Sequence, residues 1–136
     1  MSAMPNPLRP RAAVADEPLV TPAQRTLMLA NGARSAAGDD IDPWPVVRLF
    51  TPDAGAAWLL AELDPDDPDV AFGLCDLGLG FPELGTVRLS KIATVRGRLG
   101  LPVECDGTFV PDRPVSAYAR EARLAADNLG PGGCDE

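Results

Sequence analysis

The sequence predicts a single α+β domain: an antiparallel sheet of four to five short strands with about three helices packed on it. Three observations carry that expectation. Short apolar runs between residues 46 and 90 are joined by connections too brief for crossover helices, so neighbouring strands must form hairpins. Segments with helical spacing flank this block on both sides. The chain has 136 residues, 46% of them hydrophobic, which suffices for one core and falls short of two full domains.

The elements follow in order. Residues 1–17 carry Pro5, Pro7 and Pro10 among small and polar residues and are expected to be disordered. They contain no apolar run of the secretory type. The domain is expected over residues 18–129, with a flexible tail at 130–136. "VTPAQRTLMLANG" reads as a helix: Thr21 caps, Pro22 fits the first turn, Gln24 completes a capping box, and Asn31-Gly32 supplies a left-handed stop. "ARSAAGDDIDPWP" reads as a loop.

"VVRLFT" is the first predicted strand, and Pro52-Asp53-Ala54-Gly55 the turn after it. "AAWLLAEL" is the second strand, placing Trp58, Leu60 and Glu62 on one face and Leu59 and Leu63 on the other. "DPDDPD" is the next turn, "VAFGLCDL" the third strand and "LGTVRLS" the fourth. Ser90 is expected to cap a short helix, "KIATVR", that Gly97 stops. "LPVECDGTFV" alternates as an edge strand with Cys105 half-buried. The last helix is expected from Pro114 to Asn128, with Val115, Tyr118, Ala119, Ala122 and Ala126 along one face.

The chain lacks parts that many activities need. It contains no histidine, which removes the commonest general base and every Ser-His or Cys-His nucleophile pair. Cys75, Cys105 and Cys134 are too scattered for a disulfide framework or a zinc site, and a reducing cytoplasm is the expected compartment. No apolar run approaches the length of a membrane span.

Two motifs fail on inspection. Gly80-Phe-Pro-Glu-Leu-Gly85 has the glycine spacing of a phosphate loop but continues Thr86-Val87, without the lysine, and Glu83 puts negative charge where phosphate would sit. Residues 78–85 are therefore expected to be a glycine-rich turn between antiparallel strands. "ELDPDDPD" resembles a calcium loop, but Pro68 and Asp69 occupy the fifth and sixth positions. Nothing in the sequence calls for a cofactor or a bound metal.

Charge is the remaining lead. The net charge is −8, and residues 39–85 hold eleven acids against one base, Arg48. Asp64, Asp66, Asp67 and Asp69 are the candidate contact residues of an acidic face. Residues 86–123 hold seven bases against four acids. Arg88, Lys91, Arg96 and Arg98 form a basic run that could read phosphates, without the interleaved aromatics of a nucleic-acid groove. Asp53, Trp58, Asp76 and Glu83 are the further pocket candidates, and the three carboxylates among them with a divalent ion would make a hydrolase. Trp44, between Pro43 and Pro45, reads either as a contact anchor or as a residue pinning its loop.

The run from Pro45 to Asp106 resembles a bacterial family defined as a domain of unknown function. The features are "LFTPD" with Trp58 shortly after, "ELDP", "FGLCDLGLGFPELG", a serine-led helix ending in "VRG", and "LGLPVE" followed by an acid. The resemblance spans roughly residues 19–126. It implies a compact α+β domain and a gene setting on plasmids and integrative elements, and no catalytic residues. Cys105 stands where the family tends to have arginine, and Lys91-Ile92 where an acidic helix start is usual. Together these point to a non-enzymatic accessory protein of a mobile element that binds a protein partner, such as a host defence or DNA-handling protein, through its acidic face. The rivals are the carboxylate and divalent-ion hydrolase, and a nucleic-acid binder using Arg88 to Arg98.

Overall fold

The structure, a computed structural model, describes residues 19–135, with side chains as far as Asp127. The expected N-terminal segment 1–17 lies outside the described residues. The elements are α1 (Pro22–Ala36), β1 (Val47–Phe50), β2 (Ala57–Asp64), β3 (Asp67–Asp76), β4 (Glu83–Arg88), α2 (Leu89–Ile92), β5 (Glu104–Cys105) and α3 (Val115–Asp135). The five strands form one antiparallel sheet in the order β4-β3-β2-β1-β5. This is the α+β domain the short connections predict, with three helices. The last helix continues past the expected end at Asn128.

Each face of the sheet carries a core. One holds Met28 of α1, Val47 and Leu49 of β1, Trp58, Leu60 and Leu63 of β2, and Ile92 of α2. The other holds Leu74 with Val115 and Ala119 of α3, flanked by Leu59, Phe72 and Leu84. Burying a large aliphatic side chain contributes about 1.5–3 kcal/mol, so two layers of this kind suffice for a small domain.

Alternation in β2 departs from the sequence expectation. The pairing with β3 shifts register between Leu60 and Glu62, and Ala61 there is fully buried. The extra residue of this bulge resets the alternation. Leu63 therefore joins the core of Trp58 and Leu60 instead of the face of Leu59.

The start of α1 is as expected. Thr21 Oγ1 accepts from the Gln24 amide at 3.1 Å, and the Thr21 amide donates to Gln24 Oε1 at 2.8 Å. Its end is not. The helix runs through Asn31 and Gly32 to Ala36. Gly32 is buried against β2, where a Cβ would stand 1.8 Å from the Leu63 carbonyl oxygen. Asn31 Nδ2 donates to the Ala61 carbonyl at 2.9 Å. This pair lets helix and strand touch; it does not stop the helix. The stop is Gly38, at φ 94°, with the Gly38 amide donating to Ser35 and the Asp39 amide to Arg34.

Two smaller corrections concern the following segments. Ser90 lies inside α2 instead of capping it, and the cap position is Arg88. Cys105 is exposed on the two-residue edge strand β5, while Val103 turns into the core. β5 is short because it pairs with β1 at two positions only.

Candidate functional site

The acidic residues share the β2–β3 hairpin, and the first of the basic ones meets them from β4. β2 ends at Asp64 and β3 begins at Asp67, leaving Pro65-Asp66 as the turn. Asp64 Oδ1 accepts from the Asp66 amide at 2.9 Å, an aspartate turn of ordinary kind. Arg88, at the end of β4, reaches across to Asp67 at 3.1 Å and Asp69 at 3.5 Å. Asp69 also accepts from the Ser90 amide at 3.0 Å and hydroxyl at 2.7 Å. These bonds, the serine hydroxyl foremost, hold the Asp69 carboxyl below the usual carboxylate range. The hydrogen bond that Arg88 donates to Asp67, then the charge of Asp67, pushes the guanidinium up.

The basic run is thus divided. Arg88 neutralises part of the acidic hairpin. Arg96 donates to the Ala93 and Val95 carbonyls at 3.0 and 2.9 Å. Among the described residues, Lys91, Arg96 and Arg98 form no ion pair.

The other pocket candidates lie toward the opposite end of the sheet. Asp53, in the turn after β1, accepts from the Leu99 amide at 2.6 Å and the Leu101 amide at 3.4 Å. Its second oxygen, Oδ1, is buried without a hydrogen-bond partner and packs against Gly97. Asp76 Oδ1 accepts from the Gly78 amide at 3.0 Å. Glu83 is exposed on the edge strand, opposite Cys75 in the ladder. Burial, then the charge of Glu83, pushes the Cys75 thiol up. Trp58 is a core residue, 3% exposed. Asp76 holds its own turn and Asp53 holds the distant segment 97–101, and among the described residues no three acids or cysteines group as a metal site.

The glycine-rich stretch is a turn, with narrower limits than expected. Leu77 to Pro82 link β3 and β4, and Glu83 to Gly85 already belong to β4, where Gly85 pairs with Gly73. Gly78 and Gly80 take φ of 76° and 86°. Gly78 sits against the Gly55 carbonyl, where a Cβ would stand 2.9 Å away. The loop leaves Leu77, Leu79 and Phe81 exposed.

A further concavity lies elsewhere. A cleft of about 760 Å³ runs between α1 and residues 40–46. Leu27 and Arg34 stand on the helical wall; Asp40, Ile41, Asp42 and Trp44 stand on the other. That second wall is extended chain fastened from behind. The Val115 amide donates to the Pro43 carbonyl at 2.8 Å, and the Val46 amide to the Leu60 carbonyl at 2.8 Å. Asp42 accepts from both the amide and the hydroxyl of Ser116. Trp44 is therefore not the residue that pins this loop. It is 50% exposed and Leu27 54% exposed, both in the cleft.

Sequence reasoning singled out Trp44 without resolving its role and did not single out Leu27. The available signal was the pair of prolines around Trp44, which favour an extended backbone.

No helix among the described residues is long and apolar enough to cross a membrane. Residues 19–128 match the family described as Protein of unknown function (DUF2958). No curated protein and no solved structure matches the chain.

Proposed function

We propose, starting from the fact that the chain belongs to the DUF2958 family, that it is a non-enzymatic module that binds a protein partner on its acidic side. The observation that carries this reading is the cleft of about 760 Å³ in which Trp44 and Leu27 stand half-exposed. A tryptophan held on a fastened backbone loses little freedom on binding and buries a large area, which is why such residues dominate contact energies. Asp40 and Asp42 line the same cleft, and Asp39 stands beside it, paired to Arg34.

The hairpin acids contribute differently. Asp67 and Asp69 are partly neutralised by Arg88, so the hairpin acts over distance, raising the encounter rate with a basic surface, more than as a close contact. A role as accessory protein of a mobile element, with a host defence or DNA-handling protein as partner, is the finer form of the proposal. It rests on the family resemblance and on the charge.

The test is affinity capture from the native host with wild-type protein, Trp44→Ala and Leu27→Ser, each first shown to melt as the wild type does. A protein captured by the wild type and lost from both variants supports the reading. Equal capture by all three, or direct binding of duplex DNA abolished by Arg96→Ala and Arg98→Ala, overturns it.

A further inference from the structure

We infer that the cleft between α1 and residues 40–46 receives a short extended segment of the partner, one that carries an aliphatic side chain and an arginine or lysine beside it. The inference rests on the protein-binding reading above and adds the chemistry of the occupant.

Length comes first. The helical wall runs from Ala23 to Arg34, or roughly 16 Å at about 1.5 Å per residue. That matches about five residues of extended chain at about 3.3 Å each. The cleft is open to solvent and not an enclosed cavity, so a segment can lie in it.

The polar character of the walls sets the charge. Pro43 and Pro45 bring no N–H to the extended wall. On the helical wall, Asn31 donates its side-chain amide to the Ala61 carbonyl. The cation of the cleft, Arg34, is met by Asp39 at 3.5 Å. What remains is the unbalanced negative charge of Asp40 and of Asp42, the latter with both oxygens already accepting from Ser116. A cleft whose unbalanced charge is negative selects a cationic group, and guanidinium or ammonium groups donate without accepting. An acidic segment would place carboxylate against carboxylate.

The apolar requirement comes from Trp44, Leu27 and Ile41. These three leave an apolar surface that no side chain of the described residues covers. An aliphatic group seated there removes both surfaces from water, while the flanking cation stays near Asp40 at the rim. Proline suits the occupant as well, because it lowers the entropy lost on binding an extended segment.

The probes are two end-blocked peptides, Arg-Leu-Pro-Leu-Arg and Glu-Leu-Pro-Leu-Glu, added to the isotope-labelled full chain and followed by amide and indole NMR shifts. The expected result is saturable binding of the arginine peptide in the millimolar to high-micromolar range. Its shifts should be confined to Leu27, Asp40 to Val46 and the Trp44 indole. Trp44→Ala should weaken binding about tenfold. Asp40→Asn should weaken it about threefold and flatten its salt dependence. The glutamate peptide should not saturate.

Equal binding of both peptides overturns the charge assignment. Shifts mapping outside the cleft, or no saturation at millimolar peptide, overturn the inference. If the peptides fail while Trp44→Ala still abolishes partner capture, the protein-binding reading survives and only the occupant's chemistry is wrong.

Discussion

Gly32 shows how a single residue can reverse its apparent meaning. Beside Asn31 it carries the signature of a helix end, yet it is the point where α1 lies directly on β2. At a solvent-facing helix position Gly→Ala stabilises by about 0.4–1 kcal/mol. Here the new Cβ would meet the backbone oxygen of Leu63 at 1.8 Å, and a backbone atom cannot swing aside. Gly32→Ala should therefore destabilise by about 3 kcal/mol or more, among the larger single-residue effects. Urea denaturation gives the sign directly; a more stable variant would mean that helix and strand are not in contact there. Asp112 offers a second test at this scale. Hydrogen bonds from Arg113 first, and from Tyr118, lower its carboxyl from 3.8 to about 2. A depressed folded-state value contributes stability above pH 3.8 that is lost as pH falls toward about 2. Melting temperature followed across that window should drop more steeply for wild type than for Asp112→Asn.

At the level of elements, the parts legible in the sequence were those set by local chemistry. The capping box of α1 and the hairpin connections announce themselves in consecutive residues, and so the antiparallel order of β1 to β4 could be read off. What could not be read depends on partners distant in the chain. Nothing near Ala61 signals a bulge, because it follows from the match between β2 and β3. Ser90 looked like a cap because its acceptor, Asp69, is 21 positions away. The basic run looked continuous because Arg88 faces acids on another strand. The candidate site was half-legible for the same reason: Trp44 stood out between its prolines, whereas nothing local showed that α1 with its exposed Leu27 forms the opposing wall. Asp53 belongs to this class of long-range partners. It receives the Leu99 and Leu101 amides across 46 and 48 positions. Asp53→Ala should release that loop, with Leu99 and Leu101 amides losing exchange protection and stability falling by about 1–2 kcal/mol. Retained protection would show that the loop is held by other means.

For the whole molecule, the sheet has two dissimilar ends. The β2–β3 hairpin presents the acids, while the β1–β2 turn abuts the β3–β4 loop at Gly55 and Gly78 and holds residues 97–101 through Asp53. Leu79, Phe81 and Leu99 are all exposed near that second end. With the partner in hand, Asp64→Asn, Asp66→Asn and Asp67→Asn combined should slow association several-fold at low salt and change dissociation little. A variant altered mainly in dissociation would place the hairpin inside the contact instead of at its periphery. The unequal setting of the two tryptophans has a separate use. Trp58 is 3% exposed and Trp44 50% exposed, so the intrinsic emission is the sum of a blue component sealed from solvent and a red component open to it. Iodide should quench the second and spare the first. The folded chain thus carries two optical reporters: loss of the iodide-accessible fraction reads occupation of the cleft, and a red shift of the protected fraction reads loss of the core.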